Sequence, residues 1–143
     1  MSTDTRSVVQ EFLVAFNDRD TGRLSGLLAD DVVEHGIDGT VKGAEAVIER
    51  LERQHTIFPD YAGTVHDIAV DGDLATVRYT ASGTHAGAYQ DLQPTGVTVS
   101  WTGLAMYRVE DGEIAETWLE EDRLGLLEQL ELVETADPAH LRL

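Results

Sequence analysis

Apolar residues change their period once along the chain. Val8, Val9, Phe12, Leu13 and Phe16 recur at the spacing of one helical face, with Asp4 available as a cap, and predict a first helix. Asn17-Asp18-Arg19-Asp20 interrupts that run, and Leu24, Leu27 and Leu28 predict a short second helix. Val32 to Ile37 reads as a brief strand closed by the turn-like pair Asp38-Gly39. Gly43 leads into a third helix with the stripe Ala44, Val47, Ile48 and Leu51, and Pro59 ends the segment.

Beyond Pro59 the period shortens to that of strands. Tyr61–Val70 and Leu74–His85 flank Asp71-Gly72-Asp73, and Val97–Val109 and Ile114–Glu121 flank Glu110-Asp111-Gly112. An Asp-Gly pair between apolar runs signals a hairpin. A loop carrying Gly, Pro and Gln joins the two hairpins, from Gly87 to Gly96. The Val97–Val109 strand is long and has Gly103 in its middle, which suggests a sheet bent by a bulge or kink. Leu124, Leu127 and Leu130 predict a short terminal helix, and 136–143 reads as a loose tail. Helices first and hairpin-linked strands later make the fold class α+β: a single domain over 1–143, cone-shaped, with three N-terminal helices on a curved, mostly antiparallel sheet and a short C-terminal helix. A bent sheet covered by helices leaves a hollow, the place to look for a ligand.

Composition narrows the function. The chain has 143 residues and no cysteine, which excludes disulfides, thiolate metal sites and cysteine catalysis. Ten basic residues face 27 acidic ones, a net charge of −17, with Lys42 the sole lysine. Such a surface repels nucleic acid and anionic membranes. The acids are spread along the chain, so the charge reads as solvation in a high-salt, halophilic cytoplasm rather than as one docking patch. No stretch is apolar enough to span a membrane and no secretory signal opens the sequence, so the expected location is cytoplasmic.

Several stretches, taken in order, carry a resemblance. They are Phe58-Pro59-Asp60, Gly83-Thr84-His85-Ala86-Gly87, Pro94-Thr95-Gly96, Tyr107 to Ile114, Glu116-Thr117-Trp118 with Asp122 four residues beyond the tryptophan, and Leu126 to Leu130. In this spacing, over residues 8 to 132, the chain resembles the SnoaL-like polyketide cyclases of the nuclear transport factor 2-like superfamily. The resemblance implies a cofactor-free pocket, a homodimer, and an aspartate at the position of Asp122 acting as acid and base in an intramolecular aldol closure. Many relatives carry histidine just before the tryptophan, where this chain has Thr117.

The residues themselves leave alternatives open. If the last strand ran on regularly, Ile114, Glu116, Trp118, Glu120 and Asp122 would share one face, crowding carboxylates beside an indole and raising at least one pKa toward neutrality. Asp122 also precedes the terminal helix, where it reads equally as an N-cap. His35 and His85 are the candidate catalytic helpers, either as proton shuttles or as donors to a carbonyl. Phe16, His55, Phe58, Tyr79, Trp101, Trp118 and Glu120 are the candidate pocket wall. No HxxxH or HxH pair occurs, so neither metal nor cofactor is expected.

Two function classes follow, with a third behind them. The first is a lyase or isomerase abstracting a proton from an apolar, carbonyl-bearing small molecule. The second is a non-catalytic small-molecule-binding dimer. The third is a water-activating enzyme of the epoxide-hydrolase kind, which requires an arginine and two carboxylates to meet in the cavity; Arg78 and Arg108 are its candidates.

Overall fold

The computed structural model describes residues 4–89 and 91–133; the expected tail at 136–143 lies outside them. Helices α1 (Thr5–Asn17), α2 (Thr21–Leu27) and α3 (Ala44–Ile57) cover a sheet of β1 (Leu28–Gly36), β2 (Gly39–Lys42), β3 (Ala62–Asp71), β4 (Leu74–Thr84), β5 (Thr98–Glu110) and β6 (Glu113–Glu121), and α4 (Arg123–Gln129) closes the described chain. The six strands are ordered β2-β1-β6-β5-β4-β3. All neighbours pair antiparallel except β1 and β6, which run parallel. The α+β architecture is therefore as the sequence predicts, with a short hairpin strand, β2, that its four residues were too few to announce.

Local chemistry sets the helix starts. Asp4 accepts from the Ser7 amide and Asp20 from the Arg23 amide, each satisfying a donor the first turn leaves free. Val8, Val9, Phe12 and Ala15 then form the buried stripe of α1, and Val47 and Leu51 that of α3. Leu28, expected to close α2, instead opens β1, where it pairs with Ile114 and is wholly buried. In α4 the expected stripe is rotated: Leu126 and Leu130 are buried and Leu124 is half exposed.

Side chains of β5 alternate strictly, with Val99, Trp101, Gly103, Ala105, Tyr107 and Val109 facing the helices and their even-numbered neighbours facing out. Against β4 the register runs unbroken from Leu74–Arg108 to Thr84–Thr98, so Gly103 marks no bulge there. It marks a close approach instead. Tyr79, directly opposite, lays its ring over the glycine, and a β-carbon at 103 would stand 2.4 Å from the ring. The break in register falls between β5 and β6: Arg108 pairs with Glu116 but Val109 with Ile114, leaving Ala115 as the extra residue of a bulge.

Gly103→Ala is therefore expected to lower stability by about 1–3 kcal/mol through overpacking, read as a melting temperature several degrees below the parent. The loss should shrink in a Tyr79→Ala background, where the ring is gone.

Candidate active site

Between the helices and the inner face of the sheet lies a cavity of about 790 Å³, open mouth included. Its apolar wall includes Phe12, Leu13, Phe16, Val47 and Leu51 from the helical side and Leu28, Val65, Ala105 and Leu119 from the sheet. Polar side chains enter this wall in two groups.

The first group surrounds Glu121, whose side chain is 8% exposed. Its Oε2 accepts from the Tyr79 hydroxyl at 3.1 Å and from the Trp101 indole N–H at 3.0 Å. Its Oε1 lies 3.4 Å from Nη2 of Arg123, whose Nη1 donates to the Tyr89 hydroxyl at 2.5 Å and approaches Asp38 at 3.3 Å. Glu121 pairs with Gly103, so the glycine that admits the Tyr79 ring also brings that hydroxyl to the carboxylate.

The second group is carried by β1, β6, β5 and α3. Glu34, 6% exposed, follows the buried Val32 on the inner face of β1. Arg50, one turn beyond Val47 on α3, grips it with both forks: Nη2 donates to Oε1 at 2.7 Å and Nε donates to Oε2. Thr117 stands opposite Glu34 on one side and Tyr107 on the other. Its hydroxyl is buried without a hydrogen-bond partner.

The tyrosines of the cavity are held as neutral donors. Burial pushes the pKa of Tyr61, Tyr79 and Tyr107 well above the usual phenol value, and the charge of Glu121 adds to the rise at Tyr61 and Tyr79. At neutral pH each therefore presents an O–H.

Asp122, the carboxylate expected in the hollow, is exposed and caps α4 by accepting from the Gly125 amide at 2.9 Å. Glu120, expected beside it, is exposed as well. The cause is the bulge at Ala115, which reverses the alternation. Ile114 faces in, but beyond it Thr117, Leu119 and Glu121 do so, opposite Tyr107, Ala105 and Gly103.

His35, one residue past the inward-facing Glu34 on β1, lies on the outer face. Its Nε2 stands 2.6 Å from Glu116, its ring stacks on Trp118 at 5.6 Å, and Arg108 holds the other oxygen of Glu116 at 2.9 Å. His85 is fully buried but outside the cavity wall. Its Nδ1 accepts from the Thr95 amide, which fixes the end of the Gly87–Gly96 loop.

Of the expected wall, Phe16 and Tyr79 border the cavity, and Trp118 borders it from β6 although its ring stacks on His35 on the outer face. Phe58 and Trp101 pack in a second core with Ala81, Val99 and Leu126. His55 sits behind Phe16, donating from Nε2 to the Phe16 carbonyl at 2.9 Å, and borders a separate, smaller hollow. Burial pushes the His55 pKa below its usual value, partly opposed by that carbonyl. Arg78 pairs with exposed Asp67 and Arg108 lies outside, so neither named arginine enters; Arg50 does.

Glu34, Arg50 and Glu121 are the residues that sequence reasoning missed. A signal existed for each. Glu34 shares parity with Val32, and Arg50 flanks the Val47–Leu51 stripe. Ile114 and Leu119 are five residues apart, an odd spacing that puts both indoors only if a bulge intervenes.

A family model described as SnoaL-like polyketide cyclase matches residues 7–130. Among solved structures, IdmH of Streptomyces antibioticus, a proposed polyketide cyclase, is 31% identical, with 90% of this chain and 99% of that one aligned at a TM-score of 0.79. AclR of Streptomyces galilaeus, a proposed hydroxylase, is 26% identical over 96% of this chain and 91% of its own, at a TM-score of 0.83. TsrD of Streptomyces laurentii is 28% identical over 90% and 95%, at a TM-score of 0.80. None of the curated proteins matches the sequence. Among the described residues no helix is long and apolar enough to cross a membrane.

Two measurements check this geometry. Asp122→Asn should melt within a few tenths of a kcal/mol of the parent, because asparagine caps as well, whereas Asp122→Ala should lose about 1 kcal/mol. In an alkaline titration followed by tyrosinate absorbance, the cavity tyrosines should not ionise near pH 10, where free phenols do. Since their folded pKa values lie above the unfolded ones, they contribute stability that is complete below about pH 10 and is lost as pH rises beyond it. The absorbance step should therefore coincide with unfolding.

Proposed function

The chain belongs to the SnoaL-like polyketide cyclase family, and on that premise we propose that it catalyses cofactor-free proton transfer on an apolar, carbonyl-bearing small molecule held in this cavity, with Glu121 as the base. One observation carries the reading: a carboxylate buried in an apolar wall, held by two neutral donors, beside further tyrosine hydroxyls.

Abstracting a proton α to a carbonyl requires a positioned base and a donor for the oxygen that becomes an enolate. A carboxylate has about four lone-pair sites. Tyr79 and Trp101 both bind Oε2, which leaves Oε1, with only the longer Arg123 contact, able to take the proton. Tyr61, whose hydroxyl is kept protonated by burial and by Glu121, is suited to hold the enolate oxygen. The enolate carbon then attacks a second carbonyl of the same molecule, and the proton on Glu121 returns to the new alkoxide, so atoms and charge balance as an intramolecular aldol closure. Water is kept from the intermediate by the apolar lining. Asp122 supports the same reaction indirectly, by capping the helix that follows Glu121. The same proposal carries a cytoplasmic homodimer, with exposed Leu104 and Met106 on the outer sheet face as its contact.

A second reading, water activation, is favoured by Glu34, Arg50 and Glu121 bordering one cavity. It predicts conversion of an apolar epoxide to a diol.

The test is turnover of a poly-β-ketone ester that can close a ring, with product followed by mass. Glu121→Gln should lower kcat by at least about a hundredfold, and Tyr79→Phe by about tenfold, with melting temperatures near the parent. Unchanged turnover in Glu121→Gln removes this residue from the chemistry. Diol formation from an epoxide without ring closure favours the second reading.

A further inference from the structure

The Glu34–Arg50 pair has no part in the proton transfer, yet it borders the same cavity. Glu34 occupies two of the five N–H groups of Arg50. The other three have no partner among the described residues. Lining the same cavity are the Tyr107 O–H, kept protonated by burial, and, opposite both Glu34 and Tyr107 in the sheet, Thr117, which is 5% exposed and whose hydroxyl has no partner among the described residues. A buried hydroxyl without a partner is costly unless something supplies one. Thr117 and Glu121 are four residues apart on β6, so this group lies about 13 Å along the strand from the catalytic carboxylate.

We infer that Arg50, Thr117 and Tyr107 form a second anchoring site, which binds an uncharged oxygen at the far end of the ligand and discriminates against a carboxylate there. The donors are those that would hold a ketone, quinone or phenol oxygen. Charge decides between these and an anion. Glu34 is bidentate on the guanidinium and cancels its charge, so a ligand carboxylate entering this end meets donors without net attraction and a second carboxylate close by. The ligand class that follows is an elongated, apolar, fused-ring molecule with one oxygen function reaching Glu121 and a neutral one reaching Thr117. The inference rests on the proposed function for the occupant's shape, but it concerns binding and not turnover.

Three shape-matched probes test it by fluorescence titration in high salt: 2-acetylanthracene, anthracene-2-carboxylate and 2-ethylanthracene. The parent protein should bind the ketone at least about fivefold more tightly than the carboxylate. Thr117→Val, which keeps the shape, should weaken the ketone about fivefold and leave the ethyl probe within twofold. Glu34→Gln should free the guanidinium charge and raise affinity for the carboxylate by about tenfold or more. Should that variant fail to fold, Thr117→Val decides alone. Equal ketone affinity in Thr117→Val, or a parent that prefers the carboxylate, overturns the inference. Turnover lost or kept in Glu121→Gln bears on the proposed reaction and leaves these affinities untouched, so the two claims fail separately.

Discussion

Opposite residues of an antiparallel pair point to the same face, and between β5 and β6 the extra Ala115 shifts that correspondence by one. The face that β6 turns to the cavity depends on the shift. With it, Thr117, Leu119 and Glu121 join Tyr107, Ala105 and Gly103 on the inner face. Without it, Glu116, Trp118 and Glu120 would face inward, and His35, Glu116 and Arg108 would lose the outer cluster they now form. A bulge thus selects which acid of a run of four, Glu116, Glu120, Glu121 and Asp122, meets the ligand.

The cavity then manages its charges locally. Glu121 is shared among an indole, a phenol and a more distant guanidinium, none of which displaces the others. Glu34 and Arg50 close on each other in bidentate geometry, the arrangement that best compensates burial of two ions. One end of the hollow therefore presents a carboxylate held by neutral donors and a longer guanidinium contact, and the other a cancelled pair with donors to spare. Proton transfer suits the first and recognition of a neutral oxygen suits the second.

Much of the architecture was legible because it rests on local rules. Apolar period placed α1 and α3, and Asp-Gly pairs placed both late hairpins; Asp111 and Gly112 indeed adopt positive φ, at 53° and 78°. The site was legible only in part. Tyr79 and Phe16 follow from strand and helix parity, but parity counted from Ile114 across an unseen bulge pointed to Glu120 and Asp122. A bulge is a two-strand event, set by pairing and not by the residue that bears it, and alanine at 115 carries no mark. Gly103 stands out in a long strand, but the unbroken register against β4 shows no bulge there; the glycine accommodates an opposing ring, which no single strand reveals. Glu34 and Arg50 escaped notice because a buried ion pair needs both partners, and these stand 16 residues apart on a strand and a helix.

Which carboxylate meets a bound ligand separates Glu121 from Asp122 most directly. Side-chain carboxyl resonances, observed by ¹³C NMR in protein labelled at Asp and Glu and assigned with Glu121→Gln and Asp122→Asn, report this during a titration with 2-acetylanthracene. The account predicts that the Glu121 carboxyl shifts with saturation while that of Asp122 stays fixed. A shift confined to Asp122, with Glu121 unmoved, would contradict it.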